Sequence, residues 1–238
     1  MFLTSIEKST RVSRVPVGLS GPWYGVYPAL VSDIKDPDNQ GRVKITLPWS
    51  PDSGADTYEA WARLSTFMAG NNRGSWFVPD VNDEVLVAFE SGDARRPYVI
   101  GALWNGRDSP PESMDGSGKN DKKVLRSRNG VTVTLDDRNG QEQLTLETPG
   151  GQTLTMKDGP GKIELSDANG NTVTLDSAGI TVTASAAVKV NASQVTISAG
   201  MVTIDAGMVK CSGVLKADTV IANSVVSASY TPGAGNIW

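Results

Sequence analysis

Val188-Lys-Val-Asn-Ala-Ser-Gln-Val195-Thr-Ile-Ser-Ala-Gly-Met-Val202-Thr-Ile-Asp-Ala-Gly-Met-Val209-Lys-Cys211 carries an apolar-polar-apolar triplet that recurs every seven residues. Within each triplet the apolar residues alternate with a polar one, the pattern of a half-buried strand. A heptad of helical type would place Leu, Glu and Lys on its seam and flanks, and that set is absent. Ser, Thr, Ala and Val fill most of the rest, with Gly200 and Gly207 just before the next Met-Val pair, and Ala is the one helix former among these. The others favour strands and turns over helix. A strand of three or four residues buries too little to hold itself together, so copies have to stack.

Upstream the same triplet appears with a longer step. Val133-Thr-Leu135, Leu144-Thr-Leu146, Leu154-Thr-Met156, Ile163-Glu-Leu165 and Val173-Thr-Leu175 are separated by turn signals: Asn139-Gly140, Gly150-Gly151, Gly159-Pro-Gly161 and Asn169-Gly170. Gly in such pairs supplies the positive φ of a tight reversal. Ile180-Thr-Val182 and Val188-Lys-Val190 follow as the step shortens to seven. A seven-residue step is too short for one turn of a single-chain solenoid with a filled interior. Three chains wound about one axis resolve this, with the inner Val and Ile side chains filling a narrow core and few sheet edges left open. A monomeric solenoid or an array of hairpins is the alternative.

The first half reads differently. Residues 1–22 mix charge with Pro16, Gly18, Gly21 and Pro22, as in an arm. Short alternating runs then follow at 24–34, 42–49, 58–64, 76–79, 83–89 and 98–104, with turn clusters between them. Val43, Ile45 and Leu47 share one face, as do Ala60, Ala62 and Leu64. Some five strands in about eighty residues without a helix suit a small Greek-key barrel such as the OB-fold. Residues 106–123, with Asp-Ser-Pro-Pro, Gly-Ser-Gly and Lys-Asn-Asp-Lys-Lys, read as a linker. The expected organisation is an arm over 1–22, a barrel over 23–105, a linker over 106–123, an intertwined triple-stranded β-helix over 124–229 and a terminal piece over 230–238. The fold class is all-β and the expected state a homotrimer.

Composition narrows the chemistry. The chain of 238 residues has no histidine and a single cysteine, which removes Ser-His-Asp and Cys-His catalysis and most zinc sites. Cys211 takes the place of Ile197 and Ile204 in the preceding repeats, so it reads as a small apolar core residue. A net charge of −4 argues against a broad nucleic-acid surface. No N-terminal signal peptide is expected, which points to synthesis in the cytoplasm and residence in a larger particle. Asp136-Asp-Arg-Asn-Gly140 and Asp167-Ala-Asn-Gly-Asn171 have a loose look of calcium loops but lack the closing Glu, so they read as hairpin turns. Asp83-Glu84 reads as a solvated strand end. Trp49, Trp61, Trp76 and Trp104 read as core or subunit-contact residues before base-stacking ones. No catalytic, metal or cofactor site is assigned.

Asp36-Pro-Asp-Asn-Gln-Gly-Arg-Val-Lys-Ile45, Trp61-Ala-Arg63, Asp83-Glu-Val-Leu-Val-Ala-Phe-Glu-Ser-Gly-Asp93 and Pro97-Tyr-Val-Ile-Gly-Ala-Leu-Trp-Asn-Gly106 occur in this order. Together they resemble the baseplate assembly protein V and VgrG central-spike family of contractile phage tails and injection systems. The resemblance implies an OB-fold joined to a trimeric β-helix, a non-enzymatic spike that links a hub and tube to a membrane-piercing tip. Val188, Val190, Val195, Ile197, Val202, Ile204, Val209 and Cys211 would then fill the trimer axis. Tyr230, Pro232, Ile237 and Trp238 would contact a PAAR-like tip protein. The chain is too short for the hub domains of a full VgrG, so the resemblance implies a separate hub at the barrel end. Without histidine it cannot build the His-x-His iron tip of some phage spikes. The target membrane would be a transient partner, and no nucleic acid is expected. An OB-fold binding module for glycan or single-stranded nucleic acid on a stalk, or a tailspike-type depolymerase, are the competing functions.

Overall fold

The computed structural model describes residues 22–48 and 58–229. The arm expected over 1–22 lies outside these residues apart from Pro22, as does Trp49. The chain divides into two units, Met1–Ala187 and Val188–Trp238.

The first unit opens with β1 (Val26–Asp33), β2 (Val43–Thr46), β3 (Glu59–Leu64), the two-residue pair β4 (Ala69–Gly70) and β5 (Arg73–Gly74), β6 (Glu84–Phe89) and β7 (Pro97–Ala102). Five of these strands close into a barrel in the order β1-β2-β3-β7-β6. All its pairs are antiparallel except β3 with β7. Closure follows from alternation. Val43, Ile45 and Leu47 turn inward to meet Val31, Ala62, Val85 and Val87, and each of these side chains is 0 or 1% exposed. One end of the barrel is capped by Trp23, which lies 5.0 Å from Phe89, 5.4 Å from Tyr58 and 5.7 Å from Tyr27 between ring centroids. The Tyr58 hydroxyl donates to the Ala94 carbonyl at 2.6 Å, and burial pushes its ionisation upward.

The turn between β1 and β2 explains the Asp-Pro-x-x-x-Gly-Arg spacing. The Asp36 carboxylate accepts from the backbone N–H of Asp38, Gln40 and Arg42 at 3.1, 2.7 and 3.1 Å. The Arg42 guanidinium closes the loop, donating to Asp36 at 2.6 Å and to Asp38 at 2.5 Å. Gly41 adopts φ +73, and a Cβ there would stand 3.0 Å from the Trp76 ring. One carboxylate therefore organises six residues and delivers Val43 to the core in register.

Residues 76–79, expected as a strand, form none, and Trp76 and Phe77 are 76 and 77% exposed. Pro79 has no N–H to give a ladder and restricts Val78 before it. The β3–β7 pairing has also already closed the barrel, which leaves no edge for a further strand.

After the linker a seven-stranded antiparallel meander follows: β8 (Lys122–Arg126), β9 (Thr132–Asp136), β10 (Gln143–Glu147), β11 (Thr153–Lys157), β12 (Lys162–Ser166), β13 (Thr172–Asp176) and β14 (Gly179–Thr183). Its first strand begins two residues inside the range read as linker. Every triplet of the longer-period repeat sits on a strand, and the Gly-containing segments form the reversals, as expected. Along one edge the connections have a constant length, 127–131, 148–152 and 167–171. Each reverses through a turn closed on Gly130, Gly151 or Gly170 at φ +81 to +89, a type I turn followed by a left-handed glycine. Along the other edge they shrink, from 137–142 to 158–161 to 177–178.

Ile45→Ala is expected to destabilise the barrel by about 2–5 kcal/mol, as deletion of a fully buried branched side chain does, measured by urea unfolding of the full chain. Arg42 and the three amides hold Asp36 well below the usual carboxylate range, and Asp93, bonded to Arg95, is lowered to about 2. The stability these groups contribute is complete above the ordinary pKa of 3.8 and is lost as pH falls through the lower folded values. Wild-type melting temperature is expected to drop steeply below pH ~4. Asp36→Asn is expected to start lower at pH 7 and to show a shallower acid slope.

Candidate assembly interface

The meander has one apolar and one polar face, because alternation and register agree on every strand. One column of paired residues runs Leu125, Val133, Leu146, Leu154, Leu165, Val173 and Val182. The column beside it runs Lys123, Leu135, Leu144, Met156, Ile163, Leu175 and Ile180. The opposite face carries Thr134, Thr145, Thr155, Glu164, Thr174 and Thr181 at its centre. Polar contacts there include Gln143 to Thr145 at 2.7 Å and Thr153 with Ser166 at 2.6 Å.

The described chain covers the apolar columns only in part. Leu165 is 52% exposed, Ile180 71% and Leu125 59%. Antiparallel sheets are normally solvated on one face only, with the other packed. Here the face that would pack stays largely open, with Val133, Leu144, Leu154 and Val173 half-buried and the other apolar members of the columns exposed. These residues are absent from the expected trimer-core set, although they sit in the same apolar-polar-apolar triplets that carry it.

In the second unit exposure is complete. Every described residue from 188 to 229 is exposed, and no strand pairing occurs among them. Val188, Val190, Val195, Ile197, Val202, Ile204 and Val209 are 54–71% exposed, and Cys211 is an exposed free thiol. One chain thus brings neither hydrogen-bond partners nor apolar cover to this repeat. Tyr230, Pro232, Ile237 and Trp238 lie outside the described residues.

The remaining candidate groups have local partners. Asp136 pairs with Arg138 at 2.8 Å, and Asp167 accepts from the backbone of Asn169 and Asn171, both at 2.9 Å. The Arg138 guanidinium lowers Asp136, and the Asn171 side-chain amide, donating at 2.8 Å, together with these backbone amides lowers Asp167 to about 2. Both segments are hairpin turns, as their sequences predict. Asp83 accepts from the Asp80 amide at 2.8 Å, and Glu84 from Asn105 at 2.7 Å, as strand-end caps. Trp61 is half-buried on the barrel wall beneath Arg42 and Lys44, whose cations lie 5.8 and 5.7 Å from its ring. Trp76 and Trp104 are exposed rather than core. The buried tryptophan is Trp23, which the sequence left at the arm boundary. Its signal was weak, since one aromatic beside Pro22 and Gly25 shows no period. Among the described residues no helix is long and apolar enough to cross a membrane.

Comparison with known proteins places these two structural parts. Residues 27–104 match the type VI secretion system/phage-baseplate injector OB domain, and residues 143–223 match the phage baseplate V C-terminal trimerisation domain. The chain is 29% identical over 127 residues to the type VI secretion system spike protein VgrG1b of Pseudomonas aeruginosa, covering 50% of this chain and 17% of that one. It is 30% identical over 115 residues to the spike protein VgrG3 of Vibrio cholerae, covering 46% and 11%. It is 31% identical over 115 residues to the actin cross-linking toxin VgrG1 of the same species, covering 46% and 10%. The chain therefore spans less than a fifth of the length of these relatives. The closed barrel falls on the first matched domain, and β10 to β14 with most of the 188–229 segment fall on the second, in their expected order; the chain belongs to the baseplate V family, with VgrG spike proteins among its relatives.

Proposed function

We propose that three copies of this chain form the central spike of a contractile injection machine or phage-tail baseplate. The observation that carries this reading is the exposure of the entire 188–211 repeat, set within a segment matched to a trimerisation domain. Backbone amides and carbonyls of an extended chain need partners, and Val and Ile side chains gain about 1.5–3 kcal/mol each on full burial. Two further copies supply both. Winding the three repeats about one axis turns Val188, Val190, Val195, Ile197, Val202, Ile204, Val209 and Cys211 inward and leaves Thr196, Thr203, Lys189 and Lys210 in water.

The proposed role is mechanical rather than catalytic. A shaft cross-linked by hydrogen bonds between chains resists bending and transmits axial force to a tip that opens a membrane. In this reading the barrel joins a hub or baseplate protein, and Tyr230, Pro232, Ile237 and Trp238 seat a PAAR-like tip protein. The particle carries the spike, and the target membrane is met only during firing.

Full-length protein is expected to run as a trimer by light scattering and to resist SDS without heating. Ile204→Asp places a charge on the axis and is expected to abolish the SDS-resistant trimer; persistence of that trimer removes Ile204 from the core. Truncation before Ser229 is expected to leave the trimer intact and to abolish pull-down of a purified PAAR-type protein. Undiminished capture would show that the tail does not seat the tip.

A further inference from the structure

Between the barrel and the first strand of the meander runs a groove of about 1170 Å³. Trp76, Phe77, Leu103 and Trp104 line its barrel side, and Val124 and Leu125 its sheet side. Trp76, Phe77 and Trp104 are 68–77% exposed, and Leu125 59%. Three aromatic rings on one wall exceed the scattered apolar exposure of an ordinary surface and mark a contact site. One corner is fastened within the chain, where Arg128 from the β8–β9 turn reaches Asp80 on the barrel at 2.7 Å.

We propose that this groove is filled by a second copy of the chain within the trimer. The inference rests on the assembly reading above, and two observations choose this occupant. First, the groove continues the largely open face of the meander, since Leu125 both lines it and heads the apolar column that runs through Val133 and Leu146 into the matched trimerisation domain. Second, β8 is the edge strand of its sheet. Val124 and Leu125 point to opposite faces of it, so the groove wraps an open backbone edge, which isolated proteins cover or pair. A threefold ring needs two different surfaces per chain, one offering and one receiving. The groove is the receiving surface, and its walls of Trp and Phe suit an apolar projection of the neighbouring copy.

The test places p-benzoylphenylalanine at Phe77 of the full chain, with an equivalent substitution at exposed Tyr24, on the capped end of the barrel, as the comparison. Co-folded ¹⁴N and ¹⁵N chains are irradiated without any other baseplate protein. The expected result is covalent dimers and trimers from position 77, with mixed-isotope cross-linked peptides, and at least a five-fold lower yield from position 24. Trp104→Ala is expected to reduce the yield at 77 several-fold while leaving the trimer mass unchanged. A trimer by light scattering with no cross-link at 77, equal yields at 77 and 24, or a cross-link at 77 only after a hub protein is added would overturn the groove assignment alone. A monomeric mass would overturn the assembly reading beneath it.

Discussion

A backbone that steps forward every seven residues cannot enclose its own core, and the molecule is graded around that constraint. The barrel is self-sufficient, with Val43, Ile45, Val85 and Val87 fully buried. The meander satisfies its own hydrogen bonds but buries only part of its apolar face. The second unit does neither among its described residues. Cover supplied within the chain therefore falls along it, from the filled barrel to the fully exposed residues from Val188. This order has a physical merit. In the proposed trimer a barrel with its own core would leave only the Val-rich repeat waiting for partners, and an exposed repeat of that kind is otherwise prone to aggregate.

The connections of the meander show how the change is made. On one edge they keep a constant length, with the same glycine-closed turn each time. On the other they shorten from 137–142 to 158–161 to 177–178 while the strands stay five residues long. A reversal onto the preceding strand needs at least the two residues of a hairpin turn. At 177–178 that minimum is reached. The next shortening must come from the strands themselves, which fall to three-residue triplets, and a triplet holds too few hydrogen bonds to fold back on its neighbour. In the proposed trimer the chain would continue onward, to strands of other chains, and the shift of period from about ten to seven coincides with the end of pairing within the chain.

Much of this was legible beforehand because period-two alternation reports which side chains share a face, and glycine pairs report where the chain turns. Val43, Ile45 and Leu47 could be assigned to one face, and Gly140, Gly151 and Gly170 to reversals, without coordinates. Asp36 and Arg42 stood out as spacing, but their reason, one carboxylate gathering three amides and a guanidinium, required the loop itself. What alternation cannot report is what a face meets. The columns through Leu146, Met156 and Ile163 carry the same pattern as a buried sandwich strand, and only their exposure marks them as an unfilled interface. Trp76-Phe-Val-Pro79 misled for the opposite reason: its composition is that of a strand, and Pro79 together with the already closed barrel denies it a partner. Trp104 and Leu125 are brought to one groove by a linker whose length says nothing about docking.

Lys123 shows where the apolar face is meant to stop. It is the only charged residue in either column, it lies at the end nearest the linker, and it pairs across to Leu135. Its ammonium turns aside to Asp137 and to the Asn120 carbonyl, both at 2.6 Å. A lysine whose stem lies on an apolar surface while its head finds partners at the rim costs little there, whereas the same residue two strands further along would be buried with no partner. The position lies where the linker meets the sheet, and in the proposed trimer any sliding of one sheet past another by a strand would drive this charge into the apolar columns. In the proposed trimer, exclusion of this charge would therefore help to set the register between copies.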